Sequence, residues 1–136
     1  MTRLKRTIFG RAGEDAAARW LAKKGYVIIK RNHFAPGGEI DIIALRRRVL
    51  HFIEVKTRSN DLYGAPADAV THEKLAHIKA AARDFIFRHP GSVVTVGLFG
   101  ERRRTYSDCV VDVVEVYMQK DGTLRMIVMK NELMRL

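Results

Sequence analysis

The sequence predicts a single α/β domain in which helices cover the faces of a β-sheet. Three observations predict it. Runs of β-branched and apolar residues of strand length recur between turn signals. Two segments, 13–24 and 71–88, carry helical composition or periodicity. The 136 residues, 47% hydrophobic and 29% charged, suit one folded unit with its own core rather than a disordered chain. No repeat, low-complexity tract or linker divides residues 1–136, and residues 1–9 read as a basic tail that frays.

The alanine-rich segment 13–24 is the first predicted helix, ended by Gly25 as a C′ residue. Residues 26–32 form the first strand. Ala35-Pro36-Gly37-Gly38 turns the chain into a second strand over 39–45. Arg46-Arg47-Arg48 then connects to a third strand, 50–57, an odd connection because it lacks Gly or Asn. A loop over 59–69 contains Tyr63-Gly64-Ala65-Pro66. Thr71 is the predicted N-cap of a second helix that reaches Arg88 and stops at Pro90-Gly91. Its stripe of Leu75, Ile78, Ala82, Phe85 and Ile86 faces a core. Residues 92–99 and 109–118 read as strands, and Asp121-Gly122 turns into a last one over 124–129. The predicted order is α-β-β-β-α-β-β-β, and Gly91 to Tyr106 matches no clear pattern.

Charge narrows the partners. Twenty-five Lys and Arg against 15 Asp and Glu give +10, which points to a polyanion: nucleic acid or an acidic membrane surface. No stretch approaches the ~18 apolar residues of a membrane span, and Thr7 to Gly10 is too short for a signal-peptide core, so a cytoplasmic location is expected. The single cysteine, Cys109, excludes an internal disulfide and reads as a buried, inert thiol.

The chemistry concentrates in Glu54-Val55-Lys56 and Asp41. On a strand, Phe52, Glu54 and Lys56 share one face and His51, Ile53 and Val55 the other. Carboxylates among apolar neighbours cost several kcal/mol unless a cation or hydrogen bonds compensate. In the second strand Glu39, Asp41 and Ile43 share a face, and Ile40, Ile42 and Ala44 the opposite one. A hairpin of the second and third strands sets Asp41 beside Glu54. Such oxygen ligands suit Mg²⁺ or Mn²⁺, and no His or Cys set suits zinc. Lys56 would serve the attacking water or the charge on phosphorus; a buried Lys–Glu ion pair is the plainer alternative. Glu14 shares an inward line with Ala18 and Leu21. Periodicity leaves open whether it completes the metal shell or answers the helix dipole.

Phosphate contacts are expected from Arg46, Arg47, Arg48, Arg58, Lys74, Lys79, Arg83 and residues 102–104, none specific alone. Trp20, Phe85 and Phe87 read as core, and the five histidines receive no role.

These residues carry a resemblance. Gly13-Glu14-Asp15, Gly25-Tyr26, Gly38-Glu39-Ile40-Asp41, Phe52-x-Glu54-Val55-Lys56-x-Arg58 and Tyr63-Gly64-x-Pro66 resemble the bacterial YraN-like family over roughly residues 10 to 80. The resemblance implies the restriction-endonuclease-like fold of the PD-(D/E)xK nucleases, which include Holliday-junction resolvases. That fold has an α-β-β-β-α-β core, a central mixed sheet flanked by helices, and here an extra C-terminal strand. It matches Asp41, Glu54 and Lys56 to the catalytic pattern and Glu14 to the acidic residue of the first helix. No proline precedes Asp41, so the superfamily's name fits the sequence loosely.

The expected function is a Mg²⁺-dependent nuclease (Mn²⁺ serving as well) with Asp41, Glu54 and Glu14 as metal ligands. Its substrate would be DNA, branched or damaged DNA included, and a homodimer would let such an enzyme reach two strands. The rival from another class is a nucleic-acid-binding module that keeps the fold without cleavage.

Overall fold

A computed structural model describes residues 3–59, 71–119 and 121–136. The elements run α1 (Arg3–Lys23), β1 (Val27–Ala35), β2 (Gly38–Arg46), β3 (Val49–Ser59), α2 (His72–Arg88), β4 (Ser92–Gly97), β5 (Gly100–Thr105), β6 (Asp108–Met118) and β7 (Leu124–Arg135). Five strands make one sheet in the order β1-β2-β3-β6-β7. Among the described strands only β3 and β6 pair in parallel, and the chain between them carries α2. The sheet is therefore mixed, as expected.

Each face of the sheet holds one cluster. Ala16, Ala17 and Leu21 of α1 pack with Ile42, Ala44, Ile53, Val55, Val114 and Val116. Ile78, Ala81, Ala82 and Phe85 of α2 pack with Ile43, Leu45, Leu50, Phe52 and Val111 on the other side. Cys109 is buried in this second layer, which bears out its reading as a core thiol.

The helix ends follow local rules. Tyr26 N–H bonds Leu21 C=O at 3.0 Å and Gly25 N–H bonds Ala22 C=O at 3.1 Å, with Gly25 at φ 92°. That is a Schellman stop, and Leu21 and Tyr26 share one apolar cluster. Thr71 caps α2 as expected, its hydroxyl accepting from Lys74 N–H at 3.1 Å.

Four expectations change. Helix α1 starts at Arg3, so residues 3–9 are helical rather than a frayed tail; Leu, Lys and Arg are good helix formers, and nothing there breaks the helix. Residues 100–105 form an unforeseen strand, β5, paired only with β4. The β4–β5 hairpin stands apart from the main sheet, and the described elements end with one strand more than predicted. Phe87 is 85% exposed, because α2 turns the Phe85 side of the helix to the sheet. Finally, Ile40 packs with Ile43 rather than with Ile42 and Ala44, so the two-residue alternation of β2 breaks across Asp41. The loop expected over 59–69 lies outside the described residues except at Ser59.

Gly13 sets the height of α1 over the sheet. A Cβ there would overlap Thr57 Oγ1 and lie 2.8 Å from Thr57 Cβ and Cγ2. Gly13→Ala gains about 1 kcal/mol of helix propensity. The overlap with a β-branched side chain costs about 1–3 kcal/mol and lifts the helix that carries Glu14. We expect a net loss of up to about 2 kcal/mol in urea unfolding, partly recovered by Thr57→Ala.

Candidate active site

The site lies where β2 and β3 leave their ladder. The antiparallel pairing runs from Arg46↔Val49 to Ile42↔Ile53. One step further, Val55 N–H donates to the side chain of Asp41 at 2.8 Å. Glu54 is 6% exposed on the α2 side of the sheet. Its Oε1 lies 2.8 Å from Lys74 Nζ and 3.6 Å from Lys56 Nζ. Lys74 sits in the first turn of α2, which the Thr71 cap fixes.

Asp41 and Glu54 stand together, and both lysine contacts go to Glu54. Burial, the charge of Glu54 and the charge of Glu14 push the Asp41 carboxyl up to about 8, against the lowering effect of the Val55 N–H. Glu14 is raised as well, chiefly by burial, although Arg31 at 4.0 Å opposes the shift and Asp41 shares a hydrogen bond with it. Lys74 is disfavoured by burial, yet its contacts with Glu54 hold its ammonium above the ordinary range. A cleft of about 370 Å³ opens over these groups, lined by Gly38, Glu39, Asp41, Glu54, Lys74 and His77 among others.

The two central groups, Asp41 and Glu54, offer carboxylate oxygen only, the donor type a hard divalent cation takes. Among the described residues no group of three or more His, Cys, Asp and Glu side chains is arranged to hold a metal ion. The fit therefore rests on the pair Asp41 and Glu54, with water and main-chain oxygen completing any shell.

The sequence-predicted residues divide accordingly. Asp41, Glu54, Lys56 and Lys74 come together, with Glu14 behind Asp41 on α1. Glu39 lines the cleft from an exposed position. Arg58 does not join them: its Nε lies 2.8 Å from the buried Glu115, which Tyr117 and the exposed Lys130 also contact. Three donors hold Glu115 down at about 2 despite its burial. Arg46, Arg47 and Arg48 sit at the opposite end of β2, far from the carboxylates.

Sequence reasoning missed His77 and Arg31, which only α2 and β1 packing bring to the site. It also missed His51, buried beside the fully buried Asp112 and hydrogen-bonded to it. The one signal available was His51 at an inward position of a core strand. Among the described residues no helix is long and apolar enough to cross a membrane.

Residues 13–116 match the family model described as "Uncharacterised protein family UPF0102". The chain is 38% identical over 112 residues to a UPF0102 protein of Chloroherpeton thalassium, covering 77% of this chain and 87% of the relative. It is 36% identical over 125 residues to one of Caldicellulosiruptor saccharolyticus, covering 90% and 93%. A shorter match to one of Prosthecochloris aestuarii, 53% identical over 77 residues, covers 57% of this chain and 61% of the relative. The paired strands, the helix above them and the span of these matches together make the chain a member of the UPF0102 (YraN-like) family, within the restriction-endonuclease-like superfamily.

Proposed function

We propose that the protein is a divalent-metal-dependent nuclease that hydrolyses phosphodiester bonds in DNA. One observation carries the reading: Asp41 and the buried Glu54 meet in one cleft where β2 and β3 part, with two lysine ammonium groups against Glu54, and burial and the charge of Glu54 raise the Asp41 carboxyl. A carboxyl pair under that strain is poised to take up a cation. Asp41 and Glu54 would hold Mg²⁺ or Mn²⁺, with Glu14 acting on the shell through Asp41. Such an ion polarises a phosphoryl oxygen and makes its bound water more acidic. Lys56, within 3.6 Å of Glu54, donates hydrogen bonds toward the reacting phosphate and stabilises charge that develops there. Lys74 neutralises Glu54 and draws the substrate backbone into the cleft. The net charge of +10 supports a polyanionic substrate.

The test is hydrolysis of labelled single-stranded, duplex and four-way-junction DNAs with Mg²⁺ or Mn²⁺. Wild type is expected to cut at least one and Glu54→Ala none. Identical behaviour of the two across the panel would remove the enzymatic reading.

A second reading has its own support: Lys74 and Lys56 already compensate Glu54 without any metal. On that reading the chain is a nucleic-acid-binding module that keeps the nuclease fold. Calorimetry with Mn²⁺ separates the two, since the module would bind DNA in a salt-sensitive way with no Mn²⁺ uptake that depends on Asp41.

A further inference from the structure

The β2–β3 turn combines two unfavourable features at one place. Arg47 and Arg48 occupy its two central positions at φ 50° and φ 64°, between the paired residues Arg46 and Val49. A two-residue hairpin turn of this kind is ordinarily Asn-Gly or Gly-Gly, because side chains are disfavoured at positive φ. The same turn gathers like charges. Arg46, Arg47 and Arg48 meet Arg102 and Arg104 of β5 around a cleft of about 260 Å³, with Gly25, Leu45 and Thr105 in its walls.

No carboxylate lines the cleft, and among the described residues none forms an ion pair with these five arginines. The walls are nevertheless fixed. Arg48 Nη1 donates to Thr105 Oγ1 at 2.7 Å, and Ser107 N–H to Arg48 C=O at 2.8 Å. The Arg46 guanidinium lies over the Tyr26 ring, 5.3 Å from its centre. Five arginines thus surround one concavity beside a turn of unfavourable backbone, with Arg46 and Arg48 fixed in its walls. Arginine forks suit phosphate oxygens in particular.

We infer that this arginine-walled cleft is a second anion site, which holds backbone phosphates of a polynucleotide away from the carboxylates. The polynucleotide identity rests on the function proposed above. Five strand residues separate Arg46 from Asp41, roughly 17 Å. Phosphates along one DNA strand repeat at about 3.4 Å per base pair, so the two sites would grip one duplex some five base pairs apart. The turn then trades stability for anion capture.

Two measurements test this. In the first, melting is followed against tripolyphosphate at fixed ionic strength. Wild type should rise in Tm with the anion and Arg47→Ala/Arg102→Ala should not. In the second, fluorescence anisotropy follows a labelled 20-bp duplex across a salt series without divalent metal. The double variant should bind about tenfold more weakly, with a log–log salt slope smaller by about 1–2. Arg47→Asn/Arg48→Gly should melt a few degrees higher than wild type yet bind duplex more weakly.

A double variant with wild-type response to tripolyphosphate and a wild-type salt slope overturns the site. If wild type takes tripolyphosphate in the cleft but binds no DNA at any salt, the polynucleotide assignment falls together with the proposed function. If the arginine variants lose only co-sedimentation with phosphatidylglycerol vesicles, the nucleic-acid assignment is overturned while cleavage at the carboxylates still stands.

Discussion

Under the proposed function, Asp41→Asn is expected to lose most DNA cleavage and, in the same molecule, to gain thermal stability. Asparagine is nearly the same size and keeps an oxygen to accept the Val55 N–H, so the loop-side geometry of β3 survives. What disappears is a carboxyl that burial, Glu54 and Glu14 hold at about 8. The sign of the pH effect follows directly. The unfolded Asp41 loses its proton near 3.8, whereas the folded one keeps it until about pH 8. Folding therefore takes up a proton between those values, and wild-type stability falls as pH rises through that window. Above pH 8 both states are ionised and the full repulsion with Glu54 is present. The amide variant lacks this slope. It should gain up to about 6 kcal/mol over wild type at pH 8.5, a Tm higher by roughly ten degrees or more, and little at pH 4.

A divalent ion should reverse the comparison. Mg²⁺ or Mn²⁺ stabilises whichever protein binds it in the folded state. Wild type at pH 8 should thus gain in Tm with added metal and Asp41→Asn should not. Its cleavage should fall by at least about a hundredfold, since even outer partners of metal ligands cost that much when removed. An Asp41→Asn variant that melts below wild type at pH 8.5 would mean that the carboxyl is compensated and the pair is structural.

Much of this site was legible because strand periodicity is strict. Phe52, Glu54 and Lys56 share the α2-facing side of β3 as alternation requires, and Ile53 and Val55 face α1. The neighbourhood of Asp41 and Glu54 follows from the hairpin, and Glu14 from helix phase. The face of Ile40 was not legible, because alternation assumes an unbroken ladder and β2 leaves its ladder at Asp41. Strand β5 was hidden for another reason. Gly-Glu-Arg-Arg-Arg-Thr is almost wholly exposed, so it has no buried face for alternation to reveal. The partner of Arg58 also escapes sequence reading: Glu115 lies 57 residues away, and the sheet order β3-β6 alone unites them. A basic residue beside Glu54-Val55-Lys56 looks the same in sequence whether it meets a polyanion or a buried glutamate.

Gly38→Ala should be the most damaging single methyl in the site region. Gly38 opens β2 after Pro36-Gly37, with Gly37 at φ 93°, and pairs with Ala35 across the turn. A Cβ on Gly38 would overlap the main-chain oxygen of His77 and come within 2.8 Å of its carbonyl carbon. A side chain could rotate away; the backbone of α2 cannot without moving the helix. Overpacking of this kind costs about 3 kcal/mol, close to 10 °C in Tm for a domain of this size. The shift should also reach function, since Lys74 and His77 lie on the same helix and both line the cleft with Asp41 and Glu54. Truncating the neighbour with His77→Ala should give no rescue, because the obstructing atom belongs to the main chain. That separates this glycine from Gly13, whose obstacle is the side chain of Thr57 and yields in part to Thr57→Ala. If Gly38→Ala melts within about a degree of wild type, α2 rides more loosely on β2 than the Lys74–Glu54 contact requires, and the preorganisation of the cleft fails with it.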